Sequence, residues 1–177
     1  MSTHTFVLAG FGGQGVLFIG KVISYSGMVD NKEVSWLPSY GPAMRGGTAN
    51  CSVTVSDEPI GSPLVLNPKN LIALNLPSFD AFEAKVEAGG MIFADSSLID
   101  KKSSRTDVTA FYIPATQLAL DNGLKGLANM IIFGKMLKET GFTTIETVKK
   151  ALEKCIPPKK ADMLELNIKA IEIGYNY

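Results

Sequence analysis

Short apolar runs alternate with stretches of helical spacing through the first two thirds of this 177-residue chain, and helical spacing then takes over. Thr5 to Ala9 is an apolar run ending at glycine, and Val16, Ile19, Val22 and Ile23 recur at helical intervals, which predicts strand, tight turn, helix. Gly27 stands where a helix C-cap is expected. Glu33 to Leu37 reads as a second strand, and Thr48 to Val55, alternating and rich in β-branched residues, as a third. Leu71 to Leu76 predicts a buried strand, and Pro77-Ser78-Phe79-Asp80 opens a helix that runs to about Glu87. Met91 to Ala94 and Asp107 to Ile113 predict two further strands. Beyond Pro114 the chain turns helical, with successive apolar faces at Leu127 to Leu137 (closed by Gly141), Ile145 to Cys155 and Leu164 to Ile171. The order predicts a three-layer α/β/α sandwich: a mainly parallel or mixed sheet covered on both faces, with helices gathered at the C-terminus. The length suits a single domain over residues 1–177.

Composition narrows the function. With 17 basic and 17 acidic residues the chain is formally neutral, so it has no basic field to gather a phosphate backbone, and nucleic-acid binding is excluded as an expectation. No apolar run approaches a membrane span or a signal-peptide core, and a cytoplasmic location is expected. Cys51 and Cys155 are far apart and belong to no C-x-x-C, so they are expected to be buried and reduced. Charge is also unevenly spread. Met1 to Thr54 hold only Lys21, Asp30, Lys32, Glu33 and Arg45, yet carry 9 of the 17 glycines. A segment so poor in charge suits burial against a partner, where unpaired charges are costly.

Two loops in that segment carry candidate chemistry. Gly10-Phe11-Gly12-Gly13-Gln14-Gly15 places G-x-G-x-x-G after a strand and before a helix, where bare backbone and helix N-terminal amides can meet an anion. A dinucleotide fold also needs an acidic residue at the end of the second strand to hold the ribose hydroxyls, and Ser35-Trp36-Leu37-Pro38 has none. A free-standing nicotinamide or flavin dehydrogenase is therefore disfavoured. Phosphate contact and tight packing of helix on strand remain as the two readings of the turn. Gln14 at its tip is expected to reach a ligand or a neighbouring chain. The second loop, Ser39-Tyr40-Gly41-Pro42-Ala43-Met44-Arg45-Gly46-Gly47, carries one of only two arginines, whose planar fork suits a carboxylate or phosphate. An internal ion pair is the alternative. His4, the one histidine, reads as an exposed terminal residue; Asp95-Ser96-Ser97 reads as a cap or turn. Lys149, Lys150, Lys154, Lys159 and Lys160 read as a solvated helix face.

Taken together, Gly10 to Val16, Ser39 to Gly47, Ile60-Gly61-Ser62-Pro63 and Leu127 to Met130 resemble the gamma subunit, or fused gamma domain, of the 2-oxoacid:ferredoxin (or flavodoxin) oxidoreductases. The resemblance covers nearly the whole chain and implies a Rossmann-like sandwich. It implies an accessory subunit of a complex that oxidatively decarboxylates a 2-oxoacid to an acyl-CoA, without catalytic residues of its own. Thiamine diphosphate, Mg and [4Fe-4S] clusters would then sit on alpha, beta and, where present, delta partners, with ferredoxin or flavodoxin served indirectly. Coenzyme A would meet this chain at a subunit interface, through Gly10, Phe11, Gly12, Gly13, Gln14 and Gly15 and through Ser39, Tyr40, Gly41, Arg45, Gly46 and Gly47. The isolated chain is expected to self-associate or to leave these loops exposed. A structural docking module that binds no small molecule is the other reading.

Overall fold

The computed structural model describes residues 1–40 and 48–177. Its elements are β1 (Thr3–Phe11), α1 (Val16–Val29), β2 (Glu33–Tyr40), β3 (Thr48–Ser56), β4 (Asn70–Ala73) and α2 (Leu76–Phe82), followed by β5 (Met91–Asp95), β6 (Thr109–Ile113), α3 (Ala115–Asp121), α4 (Ala128–Thr140), α5 (Ile145–Cys155) and α6 (Asp162–Asn176). The strands form one sheet in the order β2-β3-β1-β4-β5-β6. β4, β5 and β6 extend it in parallel from β1, whereas β3 lies antiparallel between β1 and β2. The mixed three-layer sandwich expected from the alternation of strands and helices is the architecture found.

Strand periodicity divides the core between two faces. Phe6 and Leu8 of β1, Ile72 of β4 and Phe93 of β5 point into the larger cluster with Ile19 and Ile23 of α1, Phe133 of α4 and Leu152 of α5. Val7, Leu71, Ala73, Ile92 and Ala94, one residue out of step, pack with Phe79 of α2 on the other face. The larger layer is drawn tight where α4 crosses α6. A β-carbon added to Gly174 would stand 1.7 Å from the Ile131 carbonyl oxygen, and one on Gly134 would stand 2.0 Å from that of Ile171. Only hydrogen fits at such a crossing.

Several boundaries differ from the sequence expectation, each for a local reason. Gly27 does not end a helix. It is buried inside α1, where a β-carbon would meet Val34 Cγ2 at 2.7 Å, and the helix continues to Val29. The left-handed residue beyond it is Asn31, at φ 56°. β4 stops at Ala73 because Asn75 accepts a hydrogen bond from the Ser78 amide at 2.8 Å and so caps α2. That helix ends at Phe82, followed by a single 3-10 turn over Glu83–Lys85 rather than a continuous helix to Glu87. β6 begins at Thr109, two residues later than expected. His4 belongs to β1 and is half-buried, stacked on Phe6 with ring centroids 6.3 Å apart, so it is not a free terminal residue. Burial lowers its pKa from the usual 6.5, with Lys69 adding to the effect. Cys51 and Cys155 are unpaired and buried, as expected, and burial pushes their thiols up to about 12 and about 11. No helix among the described residues is long and apolar enough to cross a membrane.

Candidate functional site

β1 carries the chain out to the sheet edge at Phe11, and α1 begins five residues later, at Val16. The turn between them is built by glycine at specific points. Gly13 and Gly15 hold φ of 96° and 76°, the left-handed region that side-chain-bearing residues avoid. A β-carbon on Gly15 would also lie 2.3 Å from Asn129 Nδ2, and one on Gly10 would lie 2.7 Å from Gln14 Oε1. Part of the motif therefore serves packing. What the packing leaves exposed is the helix end. Gly15, as N-cap, supplies no side-chain hydrogen bond, and no acidic residue stands in the first turn of α1. The opening amides thus have neither a partner within the helix nor a carboxylate to offset their dipole.

Gln14 is turned inward, contrary to the expectation that it reaches out. Its Oε1 accepts from the Phe11 amide at 2.6 Å and from Asn75 Nδ2 at 3.2 Å, and its Nε2 donates to the Leu74 carbonyl at 3.0 Å. The amide bolts the glycine turn to the loop after β4. That is where strand order reverses about β1, the place where open α/β sheets form ligand crevices. Asp95, at the end of β5, is likewise committed to local structure. Its carboxylate accepts from the Thr116 hydroxyl at 2.6 Å and the Ser97 amide at 3.1 Å, holding the start of α3. The cap or turn role read from the sequence is the one found.

Strand register brings the end of β2 and the start of β3 to the same edge. Phe11 pairs with Thr48, and Tyr40 pairs with Ala49, so β2 leaves and β3 returns beside the glycine turn. Ser39 is exposed at the end of β2. Gly41, Arg45, Gly46 and Gly47 lie outside the described residues. Phe11 and Gly13 are exposed, Gly12 is half-exposed, and together with Val16, Leu17, Phe18 and Ala49 they border a hollow of about 260 Å³. On the other side of Gly15 lies a larger cleft of about 720 Å³, lined by Asn129 and Asn167 and by Lys159 and Lys160. The sequence reading placed those lysines on a solvated helix face, included Asn129 only within the family-like stretch Leu127 to Met130, and did not single out Asn167. Pro157-Pro158, which breaks α5 from α6, was the available signal, because it turns the following lysines toward the helix start. Among the described residues no group of three or more His, Cys, Asp or Glu side chains is placed to hold a metal ion.

Comparison with known proteins agrees with this arrangement. Residues 5–177 match the family described as pyruvate ferredoxin/flavodoxin oxidoreductase. The chain is 35% identical over 172 residues to the ketoisovalerate oxidoreductase subunit VorA of Methanothermobacter marburgensis, covering 96% of this chain and 35% of that one. It thus spans about a third of that relative's length. It is 33% identical over 171 residues to the 2-oxoglutarate synthase subunit KorC of Methanocaldococcus jannaschii, covering 95% of this chain and 90% of that one. Among solved structures, the keto/oxoacid ferredoxin oxidoreductase gamma subunit from Geobacter sulfurreducens superposes with a TM-score of 0.83 at 27% identity, covering 98% and 96% of the two chains. The 2-oxoglutarate:ferredoxin oxidoreductase from Magnetococcus marinus, solved with 2-oxoglutarate, coenzyme A and succinyl-CoA bound, shares the fold. Its TM-score is 0.88 at 21% identity, over 99% of this chain and 31% of that one. With a family match that spans all but four residues, and with a relative of similar length at 33% identity, this chain belongs to the pyruvate ferredoxin/flavodoxin oxidoreductase family.

Proposed function

We propose that this chain is the gamma subunit of a 2-oxoacid:ferredoxin oxidoreductase and that its two glycine-rich loops form part of a coenzyme A site completed by partner subunits. The observation that carries the reading is the register: β1 and the β2–β3 pair deliver both loops to one sheet edge, beside a helix start with no cap and no acidic residue. Amides of the first loop and an arginine in the sequence of the second suit the coenzyme's phosphates, since oriented N–H groups and an arginine fork both favour anionic oxygen. The glycines allow backbone to approach such a group closely. Arg45 supplies the positive charge of the second loop. Relatives of similar length are named as subunits of 2-oxoglutarate synthase and of an oxoacid ferredoxin oxidoreductase, which supports placement in a multi-subunit complex.

In this reading the chain carries no step of the oxidation. Thiamine diphosphate, Mg and iron-sulfur clusters belong to alpha, beta and delta partners and supply the decarboxylation and electron transfer there. The gamma chain binds and orients the acyl acceptor, and its charge-poor first third packs on those partners.

The test is made in the reconstituted complex. Gly12→Asp, which sets a carboxylate in the turn, and Arg45→Ala are each expected to raise the KM for coenzyme A while 2-oxoacid decarboxylation is spared. An equal loss of both activities supports the docking-module reading instead, which the exposed Phe11 side chain, 36% accessible at the turn, favours.

A further inference from the structure

The ladder between β1 and β4 pairs Phe6 with Asn70 through Ala9 with Ala73, and a side chain takes over where it stops. Its last rung is the Leu74 amide donating to the Ala9 carbonyl at 2.9 Å. In a parallel ladder the next rung comes from the residue two beyond Ala9, so the Phe11 amide would donate to the Leu74 carbonyl. Instead the Gln14 carboxamide stands between those two groups. Its Oε1 accepts from the Phe11 amide at 2.6 Å, and its Nε2 donates to the Leu74 carbonyl at 3.0 Å. A carboxamide offers the same carbonyl and N–H as a peptide unit. The rung is therefore kept while the strands part by the width of one inserted amide.

Two neighbours hold the inserted amide in this orientation. Gly10 leaves room for it, since a β-carbon there would lie 2.7 Å from Gln14 Oε1 and 3.1 Å from Leu74 Cβ. Asn75, 4% accessible, fixes which end faces which partner. The Ser78 amide donates to Asn75 Oδ1 at 2.8 Å, which leaves Asn75 Nδ2 to donate to Gln14 Oε1 at 3.2 Å. A flipped Gln14 would set N–H against N–H at Phe11 and Asn75, and oxygen against the Leu74 carbonyl. The cap of α2 is thus linked, amide to amide, to the glycine turn. Gln14 also closes that turn through its own backbone, whose N–H donates to the Phe11 carbonyl at 3.2 Å. Both ends of the Gly12–Gly13 segment, half-exposed and exposed, are therefore anchored by one residue.

We propose that Gln14 is a positioning residue for the acyl acceptor. Its carboxamide, aimed by Asn75, sets the gap between β1 and β4 at the switch point and with it the course of the Gly12–Gly13 backbone that the coenzyme's phosphates meet. The assignment to the acceptor rests on the coenzyme A site proposed above; the inserted amide rests on the hydrogen bonds alone.

Steady-state kinetics of the reconstituted complex with two uncharged substitutions tests it. Gln14→Met keeps the length of the side chain and loses both of its hydrogen bonds. Asn75→Ser keeps a cap for α2, where serine serves as well as asparagine, and is too short to reach Gln14. Gln14→Met is expected to raise the KM for coenzyme A about three- to tenfold and Asn75→Ser about twofold, with kcat at saturating coenzyme falling by less than the KM rises. An unchanged KM in Gln14→Met, or a fall in kcat as large as the rise in KM, overturns the positioning role. Should Gln14→Met fail to assemble, Asn75→Ser decides, and an unchanged KM there overturns it. Gly12→Asp, measured alongside, separates the two proposals. If Gly12→Asp raises the KM and neither uncharged substitution does, the coenzyme site stands and the positioning role falls. If none of them moves the KM, both fall.

Discussion

The two ends of the sheet are fastened by different chemistry. At the amino-terminal end of β1, charged and hydroxyl groups tie the strands together. Lys32 pairs with Asp57, whose carboxylate also accepts from the Ser2 amide at 2.7 Å. Lys69 Nζ donates to the Thr3 carbonyl at 2.8 Å, and the hydroxyls of Thr3 and Ser56 meet at 2.8 Å. At the carboxyl-terminal end, the glycine turn is held by the neutral amides of Gln14 and Asn129. The difference separates a closed edge from an open one. The ion pair at the first end uses up both its partners, whereas neutral amides at the second position the backbone without neutralising the helix dipole that an anion would meet.

Four measurements sharpen or break that contrast. The largest effect is expected from Gly15→Ala, which combines a left-handed φ with a β-carbon 2.3 Å from Asn129 Nδ2. A loss of about 2–4 kcal/mol of stability in denaturant titration is expected. A loss below that range would mean the turn can relax away from α4. Gln14→Ala should follow at about 1–3 kcal/mol, since it strands the Leu74 carbonyl and the Phe11 amide. It should also loosen the turn, read as faster amide hydrogen exchange at Phe11 and Leu74. If stability holds, the bolt across the switch point is decorative.

Thiol labelling supplies the third measurement. With both thiols raised by burial, Cys51 to about 12 and Cys155 to about 11, neither is a thiolate at neutral pH, and both should label slowly in the folded chain. Cys155, 6% accessible beside the large cleft, should label faster than the fully buried Cys51 in a mass-resolved alkylation time course. The smallest effect belongs to the closed edge. Hydrogen bonds from Lys32 and Ser2 hold the Asp57 carboxyl at about 2, below its ordinary 3.8. A carboxylate with a depressed folded pKa stabilises fully above the unfolded value, and the contribution fades as pH falls from about 4 toward 2. Asp57→Asn should therefore flatten the thermal midpoint across that window and leave anion binding at the far edge untouched.

Most of the fold was legible because each signal was local. Helical spacing in Ile145 to Cys155 expresses burial on one face, and alternation in Thr48 to Val55 sets buried Cys51, Val53 and Val55 against buried hydroxyls on the other face; a run of residues records both directly. Gly27 misled because a glycine that ends a helix and one that lets a strand approach it look alike in a string; its meaning lies in Val34 and Val55, contacts only the fold makes. The glycine turn was readable as an element, but the direction of Gln14 was not. Its partners Leu74 and Asn75 are 60 and 61 residues away. The cleft was least legible of all. Asn129 lies in a stretch that carries the family resemblance but is given no role there, Asn167 carries no signal, and the two come together only where α1, α4 and α6 begin around one space.

The reversed strand has a consequence for how the protein can change. Because β3 runs against both of its neighbours and pairs over its full length with β1 from Thr48 to Ser56, the connection between β2 and β3 starts and ends on strands whose register is fixed on both sides. A change in the length of that connection leaves the ladders of β3 with β1 and β2 in register. A crossover connection would have tied its length to the path of a packed element. The fold thus sets a connection of free length beside a turn of fixed length, so descendants of this chain can rewrite the one while leaving the register of the sheet unedited.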